Sequence, residues 1–291
     1  ANNGTGNRVV VGAYGNDGNG SSAGHVRVYE WNGSNWVQLG QDVDGELQAD
    51  FFGWDVDMNT SGDRIVVGAT RNDGNGSSSG HARVFDWSGT SWDQVGSDID
   101  GELTGDQSGY AVSISSSGNT VAVGATRNDG NGSSSGHLRV YEWDGTVWNQ
   151  QGQDIDGEAA NDQSGLNVSL SSDGTIIAIG ARNNDGNGSN SGHVRVYQYV
   201  SGLYGSEWIQ VGYDLDGEAT NNYFGYSVSL SKDGSVLVAG AHGYNSNTGR
   251  VYTYELVKKP ITTMAVMGMP ISGYPHDSGQ FGFSVSSNAD G

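Results

Sequence analysis

Aspartate and glutamate recur in a short motif that has the composition of a calcium-binding loop. The motif reads DVDGE at 42–46, DIDGE at 98–102 and 154–158, and DLDGE at 214–218. Calcium prefers oxygen ligands from carboxylates, amides and carbonyls, on a backbone that turns sharply at glycine. The motif therefore predicts Ca²⁺ as a bound cofactor. The candidate metal ligands are Asp42, Asp44, Glu46, Asp50, Asp98, Asp100, Glu102, Asp106, Asp154, Asp156, Glu158, Asp162, Asp214, Asp216 and Glu218.

The same motif also has a purely structural interpretation. Asp-Gly pairs form turns, and aspartate side chains accept hydrogen bonds from nearby backbone N–H groups. The spacing is not that of an EF-hand loop. Both interpretations, metal site and turn, therefore stay open.

A second repeated stretch is polar and almost free of apolar residues. RNDGNGSSSGH occurs at 71–81 and again at 127–137, with relatives at 15–25 and 182–193. Its candidate ligand-binding residues are Asp17, Asp73, Asp129 and Asp185. Its Asn-Gly-Ser triplets match the glycosylation sequon on a loop that we expect to be exposed. The candidate acceptors are Asn19, Asn75, Asn131 and Asn187. A long polar turn is the alternative.

The charge balance narrows the range of partners. The chain has 33 acidic residues against 13 lysines and arginines, a formal net charge of −20. Because nucleic-acid binding needs basic residues to neutralise phosphates, we expect no nucleic-acid partner. No apolar run approaches the roughly 18 residues of a membrane helix, which predicts no membrane insertion. An acidic surface rich in Asn, Ser and Gly predicts an extracellular or cell-surface location.

A repeat of 56 residues positions these motifs. Gly-His pairs begin at 24, 80, 136 and 192, and Trp31, Trp87 and Trp143 keep the same step. Each repeat contains four β-rich runs, A to D, bounded by Gly, Asp, Asn and Ser turn residues. None of the runs has helical periodicity. The sequence therefore predicts an all-β fold.

Units of this size are typical of β-propeller blades. Residues 7–13 form a B strand with no A strand before it, and residues 281–288 form an A strand with no B strand after it. Joined, these two segments complete one blade and close a ring. We predict a single β-propeller domain of five four-stranded blades, with part of a larger propeller as the alternative. The predicted blades are 281–291 with 1–50, 51–106, 107–162, 163–222 and 223–280.

The FG pairs at 52–53, 224–225 and 281–282, with VVGA, AVGA, AIGA or VAGA further along the repeats, resemble FG-GAP repeats. Such repeats form the blades of integrin-α-like propellers and of many secreted microbial proteins. The resemblance extends over nearly the whole chain and implies an extracellular propeller for adhesion or ligand binding. Two repeats have SG in place of FG, at 108–109 and 164–165, and the proline of GAP is absent. The family's calcium motif lies in the A–B hairpin, which here is a short turn such as SSDGT.

Strand alternation places the B–C loops and the D–A crossovers on one face of the predicted ring. The polar loops and the DxDGE motifs therefore share a face, which holds 20 of the 33 acidic residues. Like charges at this density destabilise a fold unless cations or wide spacing relieve them. This crowding favours cation binding on that face.

Three other sets of side chains have structural interpretations. The Trp pairs around the C–D turns are predicted to pack, with stacking on sugar rings as the alternative. The histidines that begin the C strands are too far apart to share one ion, and we expect hydrogen bonds within each blade. The arginines two residues further on are predicted to pair with carboxylates: Arg27, Arg83, Arg139 and Arg195.

No catalytic arrangement is apparent. Near-identical repeats give near-identical environments, whereas a glycosidase needs an acid and a base in different surroundings. We predict a secreted, non-enzymatic propeller that binds an extracellular protein or carbohydrate. The alternatives are a structural glycoprotein subunit of an extracellular assembly or filament, and a glycoside-acting enzyme. Segment 255–275 holds all three prolines and three of the four methionines, and it is a candidate self-assembly contact.

Overall fold

The computed structural model describes residues 1–202, 205–257, 263–266, 271–272 and 283–287. In these ranges the chain forms five antiparallel sheets in sequence order, which confirms the all-β prediction. The first sheet contains β1 (Arg8–Ala13), β2 (His25–Trp31), β3 (Trp36–Gln38) and β4 (Val43–Asp44). The second contains β5 (Phe52–Met58), β6 (Arg64–Ala69), β7 (His81–Trp87), β8 (Trp92–Gln94) and β9 (Ile99–Asp100).

The remaining three sheets repeat this arrangement. The third contains β10 (Ser108–Ile114), β11 (Thr120–Ala125), β12 (His137–Trp143), β13 (Trp148–Gln150) and β14 (Ile155–Asp156). The fourth contains β15 (Asn167–Leu170), β16 (Ile176–Ala181), β17 (His193–Gly202), β18 (Gly205–Gln210) and β19 (Leu215–Asp216). The fifth contains β20 (Phe224–Leu230), β21 (Val236–Ala241), β22 (Arg250–Val257), β23 (Thr263–Val266) and β24 (Ile271–Ser272), with a short helical turn, α1 (Tyr244–Asn247), before β22.

The predicted D strand is in fact two short strands. In the second sheet β5, β6, β7 and β8 are neighbours in that order, and β9 pairs with the beginning of β7. In the first sheet the break falls at Gly40, whose φ is +80°. A methyl group on Gly40 would lie 2.5 Å from Cζ3 of Trp87 in the second sheet. The apolar pattern therefore predicted one strand, but glycine bends the chain here to make room for a neighbouring tryptophan.

The chain divides into two compact units, residues 1–128 with 139–150 and residues 129–138 with 151–291. In each unit the core lies between consecutive sheets, because both faces of a central strand are covered. In the first unit, Val26 of β2 shares a core with Phe52 of β5. In the second, Val194 of β17 shares a core with Phe224, Leu237 and Tyr252 of the fifth sheet.

Tryptophans also fasten one sheet to the next. The indole Nε1 of Trp92 donates to the backbone oxygen of Leu39 at 2.9 Å, and that of Trp208 donates to Gln151 at 2.8 Å. Both side chains are buried. Trp36, at the equivalent place in the first sheet, is 46% exposed. The predicted packing of these aromatic residues is therefore found between sheets as well as across the hairpins.

Polar side chains cover the free edges of the first strands. Asp55 Oδ2 accepts from the backbone N–H of Val112 at 2.8 Å. At the equivalent place in the second unit, Asn167 Oδ1 accepts from Val228 N–H at 2.7 Å. Each side chain satisfies a backbone donor that an edge strand would otherwise leave unpaired.

The N-terminal residues pair with β1 through an isolated bridge and form no strand of their own in the described residues. Asn2 forms an antiparallel bridge with Val9, and the backbone N–H of Val10 donates to Ala1 O at 3.0 Å. A turn brings these residues back onto β1, and in it Asn3 Oδ1 accepts from Arg8 N–H at 3.0 Å.

Two sequence predictions extend beyond the described residues. Of the predicted closing strand 281–288 the structure describes 283–287, and ring closure stays a prediction. Of the candidate assembly segment 255–275 it describes 255–257, 263–266 and 271–272. The self-assembly contact therefore also stays a prediction.

Candidate functional site

The last aspartate of each of the first three DxDGE crossovers is buried. Asp50 is 3% exposed, and its Oδ2 accepts from Leu47 N–H at 3.0 Å and from Asn72 Nδ2 at 3.1 Å. Asp106 and Asp162 bind the loop asparagine of the next repeat in the same way. Burial raises the pKa of Asp50 and Asp162. These three candidate metal ligands thus join one repeat to the next.

The first aspartate of the motif pairs with the C-strand arginine in the first two repeats. Arg27 Nε and Nη2 donate to both carboxylate oxygens of Asp42 at 2.9 and 2.8 Å, and this contact lowers the pKa of Asp42 to about 2. Arg83 Nε donates to Asp98 at 3.0 Å, and its Nη2 also contacts Glu46 of the preceding crossover. The predicted arginine pairs are therefore present here.

In the later repeats the arginines lie differently. Arg195 Nη2 donates to the backbone oxygen of Asp156 at 2.6 Å. Asp214 Oδ1 accepts from Gln210 Nε2 at 2.7 Å, and Asp154 Oδ2 lies 4.0 Å from His137 Nδ1. Two further ion pairs of the motif join Arg139 Nη1 to Glu102 Oε1 at 3.6 Å and Arg250 Nη1 to Glu218 Oε1 at 3.0 Å.

The second aspartate of the motif lies beside a histidine in two repeats, with Asp100 Oδ1 3.9 Å from His81 Nδ1 and Asp156 Oδ1 3.9 Å from His137 Nδ1. In the described ranges no lysine or arginine side chain lies within salt-bridge distance of the four carboxylates, those of Asp44, Asp100, Asp156 and Asp216. Partial burial and the charge of the preceding aspartate raise the pKa of three of them, Asp100, Asp156 and Asp216. The first aspartate of the motif therefore adds negative charge beside these three carboxylates.

The polar loops lie directly against these aspartates. A methyl group on Gly74 would lie 3.1 Å from Asp100 Oδ1, and one on Gly186 would lie 3.0 Å from Asp216 Oδ1. The loop aspartates are exposed, and one oxygen of each accepts a backbone N–H five residues on, at 2.7 Å. These capping residues are Asp17, Asp73, Asp129 and Asp185.

The amide nitrogens of the sequon asparagines are already hydrogen-bonded. Asn75 Nδ2 donates to the backbone oxygens of Gly101 and Glu102, both at 2.9 Å. The other three make the same contact with the glycine of their own crossover: Asn19, Asn131 and Asn187. The side chain that would accept a glycan therefore also fastens the loop to the crossover.

The C-strand histidines are buried beside the crossover acids. Burial lowers the pKa of His81 and His193 to about 4, so both are neutral at pH 7. Potential ligand atoms lie within 4.8 Å of one another in groups that include His25 with Asp42 and Asp44, His81 with Glu46 and Asp98, and His193 with Glu158 and Asp214. Sequence reasoning missed these groups because those of His81 and His193 draw one acid from the preceding crossover.

Five repeated antiparallel sheets, with acidic crossovers beside polar loops, define a repeat β-propeller. The FG-GAP repeat model matches residues 43–85, 99–141, 154–197 and 215–254. The chain belongs to the FG-GAP repeat family, which confirms the resemblance seen in the sequence. No curated protein matches the chain.

Solved structures share the fold at low sequence identity. A candidate 6-phosphogluconolactonase from Bacteroides fragilis is 13% identical, with a TM-score of 0.59, covering 92% of this chain and 68% of that chain. A candidate TolB from Agrobacterium tumefaciens is 11% identical, with a TM-score of 0.51, covering 94% and 80%. At this identity the likeness shows the fold alone. No helix in the described residues is long and apolar enough to cross a membrane.

Proposed function

We propose that the protein is an extracellular, non-enzymatic adhesion or ligand-binding propeller that binds its partner through Ca²⁺. In each repeat the binding surface, here called the loop face, is the polar loop with the DxDGE crossover beside it; the loops are 15–25, 71–81, 127–137 and 182–193. The partner is an extracellular protein or a carbohydrate. FG-GAP membership and the acidic, lysine-poor composition support this location and class.

The convergence of oxygen atoms at the Asp-Gly turns of the second and fourth loops carries the proposal. A methyl group on Gly74 would lie 2.9 Å from Asn72 Oδ1 and 3.1 Å from Asp100 Oδ1. Gly186 has the same neighbours at 3.1 and 3.0 Å, Asn184 Oδ1 and Asp216 Oδ1. Amide and carboxylate oxygens are ligands that calcium prefers, and the second aspartates of the crossovers supply negative charge. Partner oxygens would complete the coordination.

The repetition of the site supports binding rather than catalysis. Paired catalytic carboxylates need different environments, so that one is protonated and the other ionised. Asp100, Asp156 and Asp216 instead share one environment, since burial and a neighbouring aspartate raise the pKa of each. The Bacteroides fragilis structure is named as a candidate lactonase, but at 13% identity that name gives no catalytic role to any residue of this chain.

Thermal unfolding with calcium or with a chelator tests the proposal. Ligand at a hundredfold excess over its Kd stabilises a protein by about 3 kcal/mol, so we expect calcium to raise Tm by several degrees. Asp100→Asn combined with Asp216→Asn should reduce this rise. Asp93→Asn, the same exchange at one exposed aspartate outside the loop face, should leave it intact. Equal Tm values in calcium and chelator would refute calcium binding.

Glycans on the loop asparagines are part of the same proposal if the source glycosylates its secreted proteins. Asn75 has two N–H donors, and a glycan would replace one of its two contacts with Gly101 and Glu102. Intact mass of the secreted protein measures this directly. A mass equal to that of the sequence would contradict glycosylation and leave the calcium proposal unaffected.

A further inference from the structure

The fourth repeat brings two carboxylates and a buried histidine together. His193 Nδ1 lies 3.5 Å from Glu158 Oε2, and one potential ligand atom from each of Glu158, His193 and Asp214 lies within 4.8 Å of the others. Burial and the Asp214 carboxylate, against the opposing charge of Arg195, raise the pKa of Glu158. Two carboxylates that share a partly buried place need a proton or a cation between them.

The second repeat places Glu46, His81 and Asp98 together in the same way, but there an arginine provides the positive charge. Arg83 contacts both carboxylates, Asp98 of its own crossover and Glu46 of the preceding one. Its side chain is 9% exposed, so a guanidinium fills the space between the acids. No free metal ion is needed at this place.

The fourth repeat lacks this arginine contact. Arg195 Nη2 instead donates to the backbone oxygen of Asp156 at 2.6 Å, and its guanidinium lies over Tyr197. Within the described ranges it makes no salt bridge with Glu158 or Asp214, and its buried Nε has no hydrogen-bond partner. The two carboxylates are therefore left without the cation that their counterparts have.

His193 is the independent sign of a ligand at this place. The residue is 1% exposed, and neither ring nitrogen forms a hydrogen bond within the described part of the chain. A buried imidazole normally orients itself by hydrogen bonds, whereas Nδ1 here faces Glu158. Burial lowers the pKa of His193 to about 4, so its imidazole is neutral and able to coordinate at pH 7. Asn184 Nδ2 donates to Glu158 Oε2 at 3.4 Å and orients that carboxylate.

We propose that Glu158, His193 and Asp214 bind one divalent transition-metal ion of the Zn²⁺ or Co²⁺ class. One imidazole nitrogen and two carboxylate oxygens suit these ions, whereas calcium takes oxygen ligands alone. Metal–ligand distances near 2.0–2.2 Å require the three side chains to move closer by small rotations. Three protein ligands leave a coordination position for water or for a ligand atom of a partner.

Cobalt titration of the chelator-treated full chain tests the site, because bound Co²⁺ absorbs visible light. We expect one Co²⁺ per chain, displaced by Zn²⁺. Loss of a residue that only hydrogen-bonds a metal ligand typically lowers metal affinity about 10–100-fold. Asp214 is proposed as a direct ligand, so Asp214→Asn should weaken Co²⁺ binding by at least about 100-fold. His193→Gln should do the same. The matched change Asp98→Asn, in the repeat whose carboxylates contact Arg83, should leave Co²⁺ binding unchanged.

Three results would overturn the proposal. They are no cobalt absorption in the wild-type chain, equal affinity in Asp214→Asn, and loss of binding in Asp98→Asn as well. Circular dichroism of each variant separates lost binding from unfolding. The site is independent of the proposed calcium binding, since Asp216→Asn should weaken the calcium response without changing the cobalt spectrum.

Discussion

Replacement of Asp55 by asparagine should stabilise the protein at neutral pH. The Asp55 carboxylate is half-buried on β5, where its Oδ2 accepts from Val112 N–H at 2.8 Å. Asparagine keeps an acceptor oxygen for that donor and removes the charge. The chain itself uses this solution in β15, where Asn167 Oδ1 accepts from Val228 N–H at 2.7 Å.

The size of the effect follows from the pKa of Asp55. Burial, followed by the charge of Asp57, raises this pKa from 3.8 to about 6. The stability that protonation contributes is therefore present below pH 3.8 and is lost as the pH rises through about 6. At 1.36 kcal/mol per tenfold change in proton affinity, the ionised group costs about 3 kcal/mol at pH 7. A weaker hydrogen bond to a neutral acceptor offsets about 1 kcal/mol, so we expect a net gain of about 2 kcal/mol.

Urea unfolding of wild type and Asp55→Asn between pH 4 and pH 8 measures this directly. The gain should be full at pH 7 and should vanish near pH 4. Because the same histidines titrate in both proteins, the difference isolates Asp55. The reciprocal change Asn167→Asp should destabilise the protein at pH 7. A gain for Asp55→Asn that does not depend on pH, or a loss at pH 7, would refute the reasoning.

Two other substitutions test the contacts between repeats. Trp92→Phe removes the donor to Leu39 O while it keeps an aromatic ring, and it should cost about 1 kcal/mol or somewhat more in urea unfolding. Trp36→Phe, at the exposed equivalent, should cost much less, and equal losses would contradict the role of the hydrogen bond. Asn72→Ala leaves the buried carboxylate of Asp50 without its amide donor and should cost about 2–3 kcal/mol. If Asn72→Ala lowers the free energy of unfolding by less than about 0.5 kcal/mol, this contact does not stabilise the protein as proposed.

The sequence predicted the sheets well because their signals are local. Alternating apolar runs, Gly-rich turns and the 56-residue step between Gly-His pairs located the strands without tertiary information. The division of the D strand was missed because Gly40 lies inside the alternating segment that was predicted as one strand. Its positive φ is needed only because Trp87 packs against it from the next sheet.

The candidate site was predicted less completely because its chemistry depends on partners far along the chain. Asp50 and Asp100 are both aspartates of the acidic crossovers and look alike in the sequence. In the structure Asp50 is buried against Asn72, whereas Asp100 lies at the loop face. The grouping of His193 with Glu158 likewise joins residues of successive repeats. The number of residues between Glu158 and His193 does not match a metal-site motif. The sequence alone therefore could not distinguish a metal ligand from a residue that caps a turn.

A crystal structure with calcium, collected for anomalous scattering, tests the central claim that the loop face binds cations. The account predicts calcium density within bonding distance of the second aspartate in each crossover, bounded by the loop Asp-Gly turn. The clearest positions should be those beside Asp100 and Asp216. Well-ordered carboxylates at millimolar calcium, with only water within 3 Å of them, would contradict the claim.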